Sequence, residues 1–205
     1  MSTLTKEKIK QRLKHPSTDK KLVITPLLSE HQIGDASIDL RIGNQFIIFR
    51  MHKFGVFQPY EAASANLRKM QERQVVRFGE AFILHPGMLV LASTFEYICI
   101  PSDIECQVEG RSSWARVGLQ IATATSVEPG FKGVLTLELS NVGTIPLEMY
   151  PGVRIAQMIF HEAEPSILTP YDKSRKYQCP VGPQFSRIHN DLDGAVFCNI
   201  NPSRS

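Results

Sequence analysis

The sequence predicts a mainly β protein, built as a sandwich or barrel, from three observations. Short β-branched segments recur about every ten residues from residue 81 to residue 161. Pro-Gly dipeptides at residues 86–87, 129–130 and 151–152 separate several of these segments. The chain has 205 residues, 42% apolar and 21% charged, which suits one compact domain with a sizeable core. Many short strands with regular turn signals are typical of β-sandwiches and barrels.

The first element is predicted to be a short amphipathic helix that ends at Leu13. Thr3 or Thr5 would cap its N-terminus through the side chain. Lysines would face outward, with Ile9 and Leu13 facing inward.

Strands are predicted from there onward. Residues 22–25, 37–42 and 45–49 are short and β-branched, and Gly43-Asn44 is predicted to be a turn between the last two. Residues 51–80 are less regular, and within them residues 62–73 are expected to form a short helix or an excursion. The remaining strands are predicted at 81–84, 88–99, 104–109, 119–126, 133–140, 146–149 and 153–161.

Composition excludes several classes of function. A net charge of +3 is too small and too scattered for a nucleic-acid surface, and the basic residues between 6 and 21 are typical of a solvated face. No apolar run approaches the 18 residues of a membrane span, and the charged N-terminus lacks a signal-peptide core. Four cysteines without C-x-x-C spacing favour free thiols in a reducing compartment. We therefore expect a cytoplasmic protein that binds neither membrane nor nucleic acid.

The richest functional signal lies between residues 109 and 141. Arg111-Ser112-Ser113 offers a guanidinium, two hydroxyls and backbone amides, groups that suit a polyphosphate, and Arg116 follows. Glu138 interrupts the apolar segment at 134–139, where a carboxylate is costly to bury without a partner or a purpose. Two interpretations remain open for Glu138: acid–base chemistry at a nucleotide site, or a structural pair with an arginine.

Several motifs together resemble one family. They are GRSSWARVGL at 110–119, the Glu-Pro-Gly-Phe segment at 128–131, TLELSN at 136–141 and GDASIDLRIGN at 34–44. Shorter segments at 84–87, 150–152, 176–178 and 186–187 fall in the family's order. Over roughly residues 5 to 190, the chain resembles the dCTP deaminase branch of the dUTPase superfamily.

The resemblance implies a distorted jelly-roll β-barrel with a short N-terminal helix, formed by one domain over residues 1–205. Residues from about 165 to 205 would be a C-terminal tail, either mobile or a lid over bound nucleotide. The family is homotrimeric, with sites shared between subunits. The substrate would be dCTP, with Mg²⁺ bound through the triphosphate rather than in a protein cage.

The resemblance also implies roles for individual residues. Glu138 matches the family's proton-transferring glutamate, and Arg116 and Ser112 match positions that hold the catalytic water. The substrate-binding positions carried over are Arg111, Ser112, Ser113, Trp114, Ala115, Arg116, Ala124, Glu128, Thr136, Leu137, Glu138, Gln157, Tyr171, Lys176 and Gln178.

The sequence predicts that zinc takes no part. Zinc-dependent nucleobase deaminases use an H-x-E element followed by P-C-x-x-C, and the sequence contains neither. We therefore expect a zinc-independent deamination of dCTP.

Three departures from the family pattern leave the product open. Glu128 stands where the family usually has aspartate, Thr125-Ser126 match neither branch, and Pro180 replaces a glutamine. The main prediction is a deaminase that forms dUTP and ammonia. One alternative is a bifunctional enzyme that releases dUMP and diphosphate, and another is a nucleotide-binding regulator on the same fold with little catalysis.

Overall fold

A computed structural model describes residues 2–50, 57, 70–122, 126–163, 176–177, 179–191, 193 and 196. These residues form antiparallel β-sheets with little helix, which confirms the predicted mainly β architecture. The helices are α1 (Lys6–Leu13) and α2 (Ser112–Ala115), with 3-10 turns at Thr18–Lys20, Glu30–Gln32 and Ile188–Asn190. The strands are β1 (Val23–Thr25), β2 (Ser37–Phe49), β3 (Gln71–Val75), β4 (Phe82–Leu84), β5 (Leu89–Thr94), β6 (Tyr97–Cys99), β7 (Ile104–Gly110), β8 (Leu119–Ile121), β9 (Ser126–Val127), β10 (Lys132–Gly133), β11 (Thr136–Asn141), β12 (Leu147–Met149) and β13 (Arg154–Glu162).

The main sheet curls around a single hydrophobic core. Its strand order is β8-β11-β5-β2-β13-β7-β9, and β3 also pairs with β2. Two smaller sheets, β1-β6-β10 and β12-β4, complete the architecture. The core contains fully buried side chains from most of these strands, including Leu40, Phe46, Leu137, Met158 and Phe160.

Strand β2 corrects one prediction. Gly43-Asn44 was expected to be a turn, but the chain continues through it as one strand of 13 residues. The first half of β2 pairs with β13 and the second half with β5 and β3, with a register shift between Ile42 and Phe46. At the shift, a Cβ on Gly43 would lie 3.0 Å from the Ser93 hydroxyl oxygen. The glycine therefore permits a close strand approach rather than a turn.

Four other predictions change at the level of single elements. Thr5 occupies the N-cap position of α1, but its side chain makes no capping hydrogen bond. Residues 71–73, expected in a helix or excursion, belong to β3, and residues 62–69 lie outside the described residues. The predicted strand at 88–99 divides into β5 and β6, and that at 133–140 into β10 and β11.

A buried polar network joins β2 to the turn between β5 and β6. Glu96 is fully buried, and it accepts hydrogen bonds from the Gln32 side chain (3.0 Å) and the Arg41 backbone amide (2.9 Å). Burial raises the pKa of the Glu96 carboxyl above its ordinary value, although these hydrogen bonds and the Arg41 charge oppose the rise. The network fixes β2 where that strand passes from one pairing partner to the next.

Candidate active site

The predicted phosphate-binding turn is a single helical turn between β7 and β8. The Arg111 amide donates to the Ile155 carbonyl at 2.9 Å, which ties the start of α2 to β13. The amides of Trp114, Ala115 and Arg116 donate within the turn, to the carbonyls of Arg111 and Ser112. Those three amides are therefore already engaged, whereas the residues Ser112, Ser113 and Arg116 are exposed.

The end of this turn is held by a glycine pair. Gly118 has φ of +97°, and a Cβ there would lie 2.6 Å from the Gly143 backbone nitrogen. The Val142 amide also donates to the Gly118 carbonyl at 2.9 Å. Only glycine satisfies both the backbone angle and the close approach, so the turn is anchored to the loop after β11.

A three-residue charge network lies beside the turn. Asp39 on β2 accepts from the Arg154 guanidinium (3.0 Å), and its other oxygen lies 3.6 Å from Nε of Arg111. The Trp114 indole donates to the Arg154 carbonyl at 3.0 Å. Gln157 is opposite Asp39 on β13, and its side-chain amide lies 3.4 Å from the Glu109 carboxylate. Predicted binding residues Arg111, Trp114 and Gln157 are thus brought to one region of the fold.

Glu138 lies on a different face, in the middle of β11. Burial alternates along this strand, with Leu137, Leu139 and Asn141 in the core and Thr136, Glu138 and Ser140 half-buried on the opposite face. One carboxylate oxygen of Glu138 is shielded from solvent. The alternation explains how a leucine-rich strand carries an acid without placing it in the core. Leu137, a predicted substrate-binding residue, is fully buried as a whole residue and therefore offers no exposed surface to a ligand in a single copy of the chain.

A large cavity opens over this face of β11. It encloses about 1340 Å³, and its lining includes Glu128, Thr136, Glu138, Tyr177 and Phe185. Within the described residues, none of positions 111–116 lines this cavity. The predicted catalytic groups Ser112 and Arg116 are therefore not brought to Glu138's cavity by a single copy of the chain.

Part of the C-terminal segment, including Pro180, Gln184 and Phe185, lines the cavity. The Gln184 amide donates to the Thr136 hydroxyl (3.0 Å), and Phe185 packs edge-on or tilted against Phe57 and Phe49. The Val134 amide donates to the Pro180 carbonyl at 2.8 Å. One backbone–side-chain hydrogen bond, one backbone–backbone hydrogen bond and an aromatic cluster thus hold this segment near β11.

Lys176 and Tyr177 form a local cluster with later tail residues. Lys176 makes an ion pair with Asp191, and the Arg187 guanidinium lies 5.6 Å from the centre of the Tyr177 ring. The Arg187 amide donates to the Tyr177 hydroxyl at 3.0 Å. Three other predicted site residues, Ala124, Tyr171 and Gln178, lie outside the described residues.

Sequence reasoning missed the contacts of two residues in the site region. Asp39 lies in a motif that was noted, and Arg154 was not singled out at all, yet they meet beside Arg111. The antiparallel register of β2 and β13 brings Asp39 and Arg154 together, and no local sequence pattern reveals that register. A charged residue near the start of each strand was the only available signal.

Two further observations concern metals and membranes. In the part of the chain that the structure describes, no group of three or more His, Cys, Asp or Glu side chains is arranged to hold a metal ion. Among those same residues, no helix is both long and apolar enough to cross a membrane.

The curled antiparallel sheet, with an acid-bearing cavity and a separate arginine–serine turn, defines a protein of the dUTPase-like fold class. A dCTP deaminase-like family model matches residues 3–163, and the chain belongs to that family. This result confirms the resemblance drawn from the motifs.

Two relatives show how far the similarity extends along the chain. The chain is 36% identical over 197 residues to "dCTP deaminase, dUMP-forming" of Methanobrevibacter smithii, which covers 94% of this chain and 98% of the relative. It is 44% identical over 174 residues to "dCTP deaminase" of Halorubrum lacusprofundi, and this match covers 83% of this chain and 85% of the relative.

A solved structure supports the fold. The 2′-deoxycytidine 5′-triphosphate deaminase of Agrobacterium tumefaciens is similar with a TM-score of 0.60 at 21% identity. The match covers 78% of this chain and spans about half, 48%, of that chain. It confirms the predicted β-barrel fold class.

Proposed function

We propose that this protein is a bifunctional dCTP deaminase that converts dCTP and two waters to dUMP, ammonia and diphosphate. The observation that carries the deamination half of the proposal is the position of Glu138, which lines the large cavity in a chain of the dCTP deaminase-like family. This differs from the main sequence prediction, in which dUTP is the product.

Deamination needs a group that moves protons at one place. Water adds to C4 of cytosine, N3 takes a proton, and the amine departs as ammonia after a second protonation. Glu138 is suited to this work because its carboxylate faces the cavity with one oxygen shielded from solvent. In this proposal, Glu138 accepts one proton from the attacking water and delivers it to N3. Glu138 then accepts the remaining proton from the C4 hydroxyl and delivers it to the amine, so that the C4–N bond breaks, ammonia leaves and the C4 carbonyl forms.

The remaining catalytic groups come from a neighbouring copy. Ser112 on α2 and Arg116 directly after it are exposed, and neither lines the cavity that contains Glu138. A homotrimer in which α2 of one subunit faces β11 of the next would bring Arg116 and Ser112 to the water that Glu138 activates. Arg111 and Ser113 of the same turn would then bind the triphosphate.

Metal ions enter the proposal only through the substrate. Mg²⁺ prefers oxygen ligands and retains water, so it would bind the phosphate oxygens beside the arginine-bearing turn. Glu138 supplies the proton transfers that deamination requires, and the proposal assigns no role to zinc.

The choice of dUMP as product rests on how much of this chain the named dUMP-forming relatives match. The Methanobrevibacter protein is named as dUMP-forming and matches 94% of this chain, including the tail. The Methanosphaera stadtmanae protein, with the same name, is 37% identical over an equal share. The more identical Halorubrum protein, named only as dCTP deaminase, covers 83% of this chain. Cleavage at the α-phosphorus requires a second water, and the product would be released as the monophosphate.

One experiment tests both halves of the proposal. Purified protein is incubated with dCTP and Mg²⁺, and ammonia, diphosphate and nucleotides are quantified in the same samples. We expect equal amounts of ammonia, diphosphate and dUMP. Ammonia with accumulating dUTP and no diphosphate would contradict the bifunctional proposal and support the dUTP-forming enzyme. Absence of ammonia at micromolar enzyme would contradict deamination and leave the regulator alternative.

A further inference from the structure

We propose that Asp39 is a positioning residue that holds Arg111 in place for triphosphate binding, with Arg154 as its second partner. The proposal rests on the proposed function, because it assumes that Arg111 binds the phosphates of dCTP. Asp39 itself would not contact the reacting atoms. It would act through the guanidinium of Arg111 and the backbone of the turn.

The geometry places one carboxylate between two arginines. Oδ2 of Asp39 accepts from Nη1 of Arg154 at 3.0 Å, and Oδ1 lies 3.6 Å from Nε of Arg111. The Asp39 side chain is 17% exposed, less than Arg111 at 32% and Arg154 at 34%. A partly buried carboxylate with two cationic neighbours is better placed to orient them than an exposed ion pair would be.

Arg154 links Asp39 to the turn by a second route. Its guanidinium also lies within 3.3 Å of the His31 carbonyl, and its main-chain carbonyl accepts from the Trp114 indole. The next residue along β13, Ile155, accepts from the Arg111 amide. Asp39 therefore contacts the Arg111 side chain directly, and through Arg154 it also contacts strand β13, to which the turn is hydrogen-bonded.

The charges determine what loss of Asp39 would do. Without the carboxylate, two guanidiniums would face one another with no anion between them, and they would repel. Arg111 would then sample other rotamers and lose entropy again on binding phosphate. Loss of the Asp39 charge would also reduce repulsion of an anionic ligand near the turn. This gain should be small, because the Asp39 carboxylate is already paired with the Arg154 guanidinium. We therefore expect the loss of orientation to dominate.

The first test compares kinetic constants. Asp39→Ala is expected to raise KM for dCTP about tenfold while kcat changes by less than about threefold, because the triphosphate contact is weakened and Glu138 is untouched. Asp39→Asn, which keeps the shape and one acceptor oxygen, should give an intermediate KM and serves as the variant with less risk of misfolding. The matched control is Asp35→Asn, since the Asp35 side chain is fully exposed and its carboxylate lies 4.0 Å from the Lys6 ammonium.

A double-mutant cycle separates positioning from mere structural support. If Asp39 acts through Arg111, Asp39→Ala should raise KM by less than about twofold in an Arg111→Ala background. A full tenfold effect in that background would overturn the proposal. So would a wild-type KM in both Asp39 variants.

Calorimetric binding of dCTP distinguishes this inference from the proposed function. Wild-type protein that neither binds nor deaminates dCTP would contradict the proposed function and this inference together. Wild-type protein that binds dCTP, combined with Asp39→Ala that binds it equally well, would contradict the positioning role alone. The positioning role would be supported if Asp39→Ala bound dCTP more weakly than the wild type and Arg111→Ala showed an equal loss of affinity for dCTP.

Discussion

At the scale of single residues, Glu138 shows how one strand can combine core packing with an acid that lines a cavity. Its neighbours Leu137 and Leu139 are fully buried, whereas Glu138 belongs to the alternate face that lines the cavity. The sequence identified this acid because it interrupts an apolar run. The alternation of side chains along β11 then explains why this acid does not enter the hydrophobic core.

Glu138→Gln tests the proposed proton transfer. Glutamine keeps the size and hydrogen-bonding capacity of the side chain but cannot act as a base, so turnover of dCTP should fall by at least ~10²–10⁴. The affinity for dCTP should change much less, because other residues bind the triphosphate. Single-turnover kinetics and calorimetry measure the two effects separately. A folded variant that binds dCTP and deaminates it at near the wild-type rate would leave Glu138 with a structural role.

Arg111→Ala should show the opposite pattern. Loss of the guanidinium removes a charge-assisted contact with phosphate, and we expect KM for dCTP to rise by about tenfold or more with a smaller fall in kcat. Steady-state kinetics over a range of dCTP concentrations measures both constants. A fall confined to kcat would place Arg111 in the chemical step instead.

Glu96 should make stability depend on pH. Its folded-state pKa is raised, chiefly by burial, so its contribution to stability is fully present below the unfolded pKa of about 4.3 and is lost as pH rises through the folded value. The stability of the wild type relative to Glu96→Gln should therefore fall as pH rises above about 4.3. Urea unfolding at several pH values measures this difference, with Glu80→Gln on an exposed turn as a control for removal of a surface charge. A difference that grows in favour of the wild type with rising pH would contradict the assignment.

Residues separated widely along the chain were the hardest to predict. Asp39 and Arg111 meet only because β2 and the turn after β7 both lie beside β13. By contrast, the arginine–serine turn and Glu138 can each be recognised from residue types within a short stretch of sequence. Local patterns reveal candidate groups, whereas long-range register decides which groups touch.

At the scale of elements, strand positions were predictable and strand junctions were not. Strands β4, β7, β12 and β13 lie within a residue or two of their predictions. The Gly43-Asn44 segment misled because glycine and asparagine suit turns, yet here a close approach to Ser93 uses the missing Cβ. A tertiary contact therefore outweighed the local turn signal.

The docking of the tail depends on one glycine. Gly133 has φ of +142°, and a Cβ there would lie 2.4 Å from Cδ of Pro180. Gly133→Ala should displace the segment around Pro180, and tryptic cleavage after Arg187 should accelerate about tenfold while the sheet stays folded. Gly79→Ala is the matched control, since Gly79 also has positive φ but no atom would lie within 4 Å of its Cβ. Equal cleavage rates in both variants would contradict a docking role for Gly133.

At the scale of the whole molecule, the separation of the two clusters is the main structural argument for assembly. Glu138 lines the cavity, and residues 111–116 are absent from the lining that the described residues provide. The family resemblance predicted shared sites, but a single sequence cannot state which groups a subunit supplies to its neighbour. The proposed trimer should have a mass about three times the 23.0 kDa of one chain, measured by light scattering.

Mixed trimers test whether each site takes Glu138 from one chain and Arg116 from another. Glu138→Gln and Arg116→Ala should each be nearly inactive alone. When the two variants are unfolded together at equal amounts and refolded, each shared site has about one chance in four of receiving both intact groups. The mixture should therefore recover about a quarter of the wild-type rate, measured as ammonia released from dCTP. Variants refolded separately and mixed without subunit exchange are the control. A refolded mixture that stays inactive, although trimers form and bind dCTP, would mean that Glu138 and Arg116 act within the same chain.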